Sequence, residues 1–317
     1  MSYALMMLTA MAIDLSFGWP DWLYRRIGHP VTWLGALIRA LDLALNHDHA
    51  SDARRRLAGV ATLIVTVAAA ALPMWVLQSL LPQGWLGILL GGVLAWPLVA
   101  LRSMHAHVAA VAKPLTAGDL PAARFAVSMI VGRDTTRLDP AGVARAALES
   151  LAENTSDGIV APLFWGAVLG LPGIAAYKAV NTLDSMIGHR SPRFECFGWA
   201  SARFDDLVNL IPARATGLLF ALVSSRPVLG LRVMWRDASL HRSPNAGWPE
   251  AAMAAGLGVR LSGPRVYADH IAQEPWVNAE APDPSAADLR LGLALYARAM
   301  ATLAAGLTGL ALIWSLT

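Results

Sequence analysis

The chain has 317 residues, 56% of them hydrophobic and only 15% charged, with a formal net charge of +3. Soluble proteins carry about 25% charged residues, so this balance excludes an ordinary soluble enzyme, and no basic stripe interleaved with aromatics points to nucleic acid. A single cysteine, Cys196, excludes an internal disulfide and fits a reduced, cytoplasm-facing site.

Taken in chain order, Met1–Ile13 is apolar, has no basic flank and runs into Asp14 rather than a cleavage site. It reads as a short uncleaved membrane segment, not a signal peptide. Asp14, Gly18-Trp19-Pro20 and His29-Pro30-Val31 come next. Asp14 is expected to mark the interface, and His29 to be structural rather than catalytic. Leu57–Leu81, Gly84–Leu101 and Ala299–Leu316 contain no charge, and each as a helix is long enough to cross roughly 30 Å of hydrocarbon. Arg25-Arg26, Arg54-Arg55-Arg56, Arg102, Arg290 and Arg298 flank apolar segments and place those flanks in the cytoplasm. Leu57–Leu101 then becomes a hairpin with Pro82-Gln83 at its outer tip, and the last helix ends outside.

Two wetter regions, 103–158 and 232–289, are expected on the cytoplasmic side of one membrane-embedded domain covering 1–317. The first is amphipathic and helical, with breaks expected at Lys113-Pro114, Thr116–Asp119 and Val131–Pro140. The second is rich in Gly and Pro until Ser285-Ala286-Ala287-Asp288, which reads as a helix start. Ile159–Tyr177 is uncharged but broken by Gly170-Leu171-Pro172-Gly173. It either crosses once or folds back at that break, and freed backbone at membrane depth must be covered by protein or water. Leu207–Ser225 poses the same choice at Asn209 and Arg214. The expected class is all-α and polytopic, with about four to six spans and a re-entrant broken helix.

Between Glu149 and Arg214 acids, amides and cations are interleaved with apolar runs. An ionisable group near the middle of a membrane helix costs about 2.5–3.5 kcal/mol, so such a concentration points to use. Three constellations stand out. Glu149 and Glu153 share a helical face and repel unless a cation lies between them. Asn154 and Asp157 join them, if Thr155–Gly158 turns the helix end. This is a hard-cation donor set, or else a solvated helix end. Lys178, Asn181 and Ser185 lie along one face with Asp184 beside them, and Lys178 suits a phosphate unless it simply pairs with Asp184. Arg203, Asp205, Asp206, Asn209 and Arg214 form a second shelf, which could equally be the acids of a helix N-terminus. His241-Arg242-Ser243-Pro244-Asn245-Ala246-Gly247-Trp248 is a compact polar loop. No phosphate-binding glycine loop, zinc spacing or serine elbow is present, so any nucleotide must be held through metal and scattered cations. From physics alone the chain is a polytopic membrane protein with a cytoplasmic polar site for metal and phosphate.

The segments Glu153–Gly158, Ala161–Trp165, Tyr177–Met186, Phe197–Arg214 and His241–Ala254, with Asp14–Pro20 and His29–Val31, closely resemble the signatures of the cobalamin-biosynthesis CobD/CbiB family. The resemblance runs in order over nearly the whole chain. It implies a multi-pass inner-membrane enzyme of the late vitamin B12 pathway, with its active site facing the cytoplasm. The implied reaction is ATP- and Mg²⁺-dependent amide formation between adenosylcobyric acid and (R)-1-aminopropan-2-ol or its O-phosphate. On that basis Glu153, Asp157, Asp184 and Asp205 or Asp206 are expected to hold the metal. Lys178, Arg203 and Arg214 would hold phosphates, Asn154, Asn181 and Asn209 would orient ligands, and His241 or an acid would take the amine proton. ATP and the corrinoid are expected in the cytoplasm, so Ile159–Tyr177 should be re-entrant. Besides the bilayer and substrates, a second copy or neighbouring membrane enzymes of the pathway are the partners implied. Two rival readings are a corrinoid or ion transporter, which moves substrate without making a bond, and a non-catalytic scaffold, which tolerates Asp184→Asn.

Overall fold

The computed structural model describes residues 2–266 and 271–316, and local capping chemistry sets many of its helix ends. α1 (Tyr3–Phe17) and α2 (Asp21–Ile27) stop at Gly18 and Gly28. α3 (Pro30–Leu45) starts with a reciprocal cap, His29 Nδ1 accepting from Val31 N and Thr32 Oγ1 accepting from His29 N. α4 (Asp52–Leu80) and α5 (Trp85–Ala95) come next. α6 (Leu101–Thr116) precedes α7 (Leu120–Ser128) and α8 (Pro140–Thr155), which are capped by Asp119 and Asp139 with a proline in the first turn. The chain continues through α9 (Ala161–Leu169), α10 (Leu171–Leu183) and α11 (Trp199–Val208), then α12 (Leu210–Val223), α13 (Pro227–Asp237), α14 (Gly247–Leu257) and α15 (Ala286–Leu316). The strands among the described residues are β1 (Leu261–Ser262), β2 (Arg265–Val266), β3 (Ile271–Ala272) and β4 (Trp276–Val277), paired antiparallel as β1–β4 and β2–β3. The all-α class holds.

Three helices are long and apolar enough to cross a membrane: Asp52–Leu80, Trp85–Thr116 and Ala286–Ile313. The pair broken at Asn209, Trp199–Val208 and Leu210–Val223, makes a fourth if it counts as one span. α1 is apolar but shorter. The three charge-free stretches fall on these helices, and the chain is a multi-pass membrane protein. It divides into two units, Met1–Ala100 with Ala161–Asn209 and Leu307–Thr317, and Leu101–Val160 with Leu210–Gly306.

In the first unit α4 is inside out by the standard of a soluble helix. Its buried residues are Arg55, Gly59, Thr62 and Thr66, one stripe at helical spacing, while Leu57, Ile64, Leu72, Trp75 and Leu80 are exposed. Small and polar residues inward with apolar residues outward is the pattern of a helix facing lipid. α4 packs mainly on α10, and α5 mainly on α1, and the break between these two apolar helices falls at residues 81–84, where the Leu57–Leu101 hairpin is expected to turn. The fold-back at the Gly-Pro-Gly break is present. A Cβ on Gly173 would overlap the Trp165 carbonyl, so α9 and α10 lie against each other. Gly170, at φ +72°, makes the turn. The amide freed there is satisfied: Leu171 N donates to Gln78 Oε1 at 2.7 Å, and Gln78 Nε2 donates to the Tyr3 hydroxyl at 3.1 Å. Gln78 is about 33 Å along α4 from Arg56, so the α9–α10 hairpin reaches the far end of a spanning helix rather than dipping in.

In the second unit α14 is wrapped by α8, α12 and α13, and Ala251, Ala252, Met253, Ala254 and Ala255 are fully buried. Burial on all sides leaves no amphipathic period, so the sequence carries no clear sign of this helix. Pro114 sits inside the last turn of α6 without breaking it, contrary to expectation, whereas the breaks near Thr116–Asp119 and Val131–Pro140 are present. The start expected at Ser285 is present: Ser285 N and Oγ both donate to Asp288 Oδ2, at 2.8 and 2.7 Å. Arg145 and Arg260 lie over the Trp276 ring at 4.7 and 4.1 Å and both reach Asp283.

Two predictions come from this packing. A Cβ on Gly59 would overlap the Phe197 carbonyl, a backbone atom, and overpacking of this kind costs about 1–3 kcal/mol. Gly59→Val should melt well below wild type in detergent, while Gly306→Ala, with open space around it, should not. The Arg260 hydrogen bonds hold the Asp283 carboxyl below its ordinary value of 3.8. A depressed carboxyl adds stability above the unfolded value and loses it as pH falls through the lower folded one. A melting series taken down past pH 3.8 should therefore show a smaller acid-induced drop for Asp283→Asn than for wild type.

Candidate functional site

In the first unit, polar side chains accumulate along α10 and at its end. Lys178, Asn181 and Asp184 are half-buried, and Ser185 is exposed. Burial and the nearby Lys178 charge push the His29 imidazole below its ordinary pKa. His29 caps α3 and meets Trp19 edge-on at 4.9 Å, the structural role expected of it. Asp14, expected at the interface, is buried. Asp184 opens a single π-helical turn, Asp184–Gly188, a rare form that concentrates at functional sites. A Cβ on Gly188 would overlap Asp184 Oδ1, so the carboxylate lies directly against that glycine.

Gly188 is also part of the wall of a cleft of about 390 Å³, lined by Arg56, Arg190, Arg203 and Asp206 among others. Arg203 Nη1 and Asp206 Oδ2 are 4.0 Å apart, with both side chains open to solvent. The adjacent acid behaves differently. Asp205 is buried, and its Oδ2 accepts from Asn209 Nδ2 at 3.0 Å. Asn209 Oδ1 in turn accepts from the Tyr177 hydroxyl at 2.9 Å. The expected shelf of Asp205, Asp206 and Asn209 is therefore split by the helical twist. Asp206 faces the cleft, and Asn209 positions Asp205 instead of a ligand.

The segment carrying Arg190 is pinned by one buried cation. Arg55 Nε donates to Asn46 Oδ1 at 3.0 Å, and its Nη2 donates to the carbonyls of Pro192 and Arg193. Asn46 Nδ2 donates to Asp42 Oδ1 at 2.8 Å, and Arg193 closes the ring on Asp42 Oδ2 at 2.8 Å. In the sequence the run Arg54-Arg55-Arg56 is only a topology signal. In the fold its middle member is this clamp and its last member lines the cleft.

In the second unit Glu153 and Asn154 are exposed and line a cleft of about 240 Å³ with Arg133 and Arg242. Glu149 accepts from Arg133 Nη2 at 2.9 Å and from Ser262 N at 2.8 Å. Glu149 is thus paired with an arginine and a backbone amide within its own unit. Asn154 Nδ2 donates to the Ser150 carbonyl at 2.9 Å. Asp157, half-buried, does not sit on a terminating turn, because Ser156–Val160 continues α8 as a second π-helical turn. Arg214 is not a freely projecting phosphate ligand: its Nη1 donates to the Leu210 carbonyl at 2.8 Å, and its guanidinium lies over the Trp248 ring at 4.4 Å. The His241 side chain is 4% exposed, its Nδ1 accepts from Ser243 N at 3.0 Å, and its Nε2 lies 3.7 Å from Glu250 Oε1. With both ring nitrogens turned to protein groups, His241 fixes the loop and is poorly placed to take a proton from an amine.

Among the described residues no three His, Cys, Asp or Glu side chains come together as a metal cage. Of the acids expected to hold the metal, Glu153 and Asp157 belong to the second unit and Asp184, Asp205 and Asp206 to the first. Magnesium held chiefly by phosphate oxygens and water needs only one or two protein carboxylates, a demand that Asp206 with Asp184 fits. Arg56, Arg190, Arg133 and Arg242 are the cleft residues that sequence reasoning missed, since arginines in loops and helix starts carry no periodic signal.

The model of the CobD/Cbib protein family matches residues 7–296. The cobalamin biosynthesis protein CobD of Rhodobacter capsulatus is 66% identical over 100% of both chains. Proteins of the same name from a Sinorhizobium species and from Brucella suis are 48% and 45% identical, over 86% and 95% of this chain and 87% and 96% of theirs. No solved structure matches. A match that spans both units, with relatives similar from end to end, establishes that the chain belongs to the CobD/CbiB family of cobalamin-biosynthesis proteins.

Proposed function

We propose that this chain is the ligase that joins adenosylcobyric acid to (R)-1-aminopropan-2-ol or its O-phosphate, using ATP and Mg²⁺ at the cytoplasmic face of the inner membrane. The observation that carries the reading is the first-unit cleft, where Arg203 and Asp206 face each other and Asp184 packs behind Gly188. A carboxylate is a poor acceptor for an amine until its oxygen becomes a leaving group. The corrin propionate attacks the γ-phosphorus of ATP, the bond to the bridging oxygen breaks, and ADP leaves with that electron pair. The amine nitrogen then attacks the acyl carbon and inorganic phosphate departs. The ammonium form of the amine releases two protons over the reaction, one of which stays on phosphate.

Positive groups aimed at the transferring phosphoryl group supply most of the catalysis in such reactions. Arg203 is assigned to phosphate, and Asp206 with Asp184 to magnesium, which when bound neutralises charge between phosphates. Lys178 and Asn181, on the helix that leads to Asp184, are assigned to orienting the anionic substrate. The enclosed His241, with both ring nitrogens turned to protein groups, is not assigned the amine proton. The cleft lies at the Arg54–Arg56 end of α4, which the basic-residue rule assigns to the cytoplasm.

Purified protein in detergent, given adenosylcobyric acid, the amino alcohol or its phosphate, and Mg-ATP, should form the amide detectable by mass spectrometry. Asp184→Asn and Asp206→Asn should each lower the rate by about 100-fold or more, the range for loss of a preorganised electrostatic group. Substrate flux into vesicles without amide would favour transport, and full activity of Asp184→Asn would sink its assigned role. In a Cys196→Ser background, Asp184→Cys should react with a membrane-impermeant thiol reagent from the cytoplasmic side of inverted vesicles. Labelling from the periplasmic side alone would refute the orientation.

A further inference from the structure

The first-unit cleft holds more than amide formation by Arg203, Asp206 and Asp184 requires. Arg56 from α4, Arg190 from the segment after the π-helical turn and Arg203 from α11 converge on about 390 Å³ of space. Glu195 and Asp206 are, among the described residues, the acids that line it with these three arginines, and Asp184 lies behind Gly188. Among the described residues neither Arg56 nor Arg190 has a carboxylate within 4.0 Å, and the Arg203–Asp206 contact is long and exposed. Guanidinium forks gathered from three segments with so little internal pairing match an anion from outside, phosphate above all. Trp199, 47% exposed, lines the same cleft, and an indole is a side chain on which a base can stack. The volume falls within the range of small-molecule sites. The Arg55 clamp holds the Pro192 and Arg193 carbonyls close by Arg190, so the backbone there is fixed before any ligand arrives.

We propose that Arg56, Arg190 and Arg203 form the phosphate-binding wall of this cleft and that Trp199 is its base platform, so that the ligand using all four is a nucleoside triphosphate. The assignment rests on the reading that the first unit handles phosphoryl groups, and it names three side chains which that reading does not require. A phospholipid headgroup at the membrane surface offers the same phosphate chemistry, and the test separates the two sources.

Protein in phosphatidylcholine nanodiscs would be titrated with Mg-ATP and with pyrophosphate by calorimetry, for wild type, Arg56→Ala, Arg190→Ala, Arg190→Lys and Trp199→Ala. Each arginine-to-alanine change should weaken both ligands by about 10- to 100-fold, the worth of one charge-assisted hydrogen-bonding group. Arg190→Lys should recover part of the loss. Trp199→Ala should weaken Mg-ATP and leave pyrophosphate unchanged. Melting temperatures should stay at the wild-type value, because Arg56 and Arg190 are exposed. If the variants bind Mg-ATP as wild type does, the assignment is overturned while the ligase reading stands. If Mg-ATP binds as described but no amide forms, the ligase reading fails and the cleft stands. If neither probe binds, but phosphatidylglycerol in the disc raises the melting temperature of wild type and not of the arginine variants, the ligand is a lipid headgroup and the nucleotide assignment is wrong. A wild type indifferent to all three probes overturns the proposal.

Discussion

A membrane protein must satisfy every backbone carbonyl that leaves a helix, and here the burden falls on Arg55. The chain exits α10 through a π-helical turn and then runs non-helically past Pro192 and Arg193 before α11 begins. Arg55 donates to both carbonyls from the first turns of the longest lipid-facing helix of its unit. A buried guanidinium is tolerable because its Nε and Nη2 donate and because Asn46, Asp42 and Arg193 complete the ring around it. Everything attributed to the first-unit cleft depends on this arrangement. The clamp holds the segment that carries His189 and Arg190, and its own chain neighbour, Arg56, lines the cleft.

The π-helical turns are the second device. One extra residue per turn rotates the downstream side chains relative to a regular helix, and the two turns begin within one residue of Asp157 and at Asp184. Asp184 sits against a glycine, and Asp205 and Asp206 are sorted into buried and cleft-facing roles by simple helical rotation. Acids that look alike in the sequence thus have separate tasks, one held in a chain of hydrogen bonds from Tyr177 and another open beside arginine.

Much of this is legible in the sequence. Charge-free stretches locate the spanning helices because the bilayer imposes a length and composition that nothing else does. The Ser285–Asp288 cap and the Gly-Pro-Gly fold-back are visible because capping and turn chemistry are local. α14 is not, since a helix buried all round has no period to detect. Glu149 looks like a metal ligand because its partners, Arg133 and the Ser262 amide, are distant in sequence and carry no motif. His241 looks available because nothing in the chain announces that Ser243 N and Glu250 enclose its ring. Arg56 and Arg190 are hidden for the same reason, as surface arginines acquire meaning only through the residues they converge with.

The amide at the start of α10 is satisfied by Gln78, and Gln78 is held by Tyr3. The acceptor is thus made long before the donor that needs it, and its own support earlier still. During synthesis from the N-terminus, α1 and α4 are already in the bilayer when Gly170 emerges, so the exposed end of the α9–α10 hairpin meets a waiting partner. The order of synthesis matches the order in which polar atoms become dependent on one another. A chain rearranged so that α10 preceded α4 would have to insert that amide with no protein acceptor at its depth.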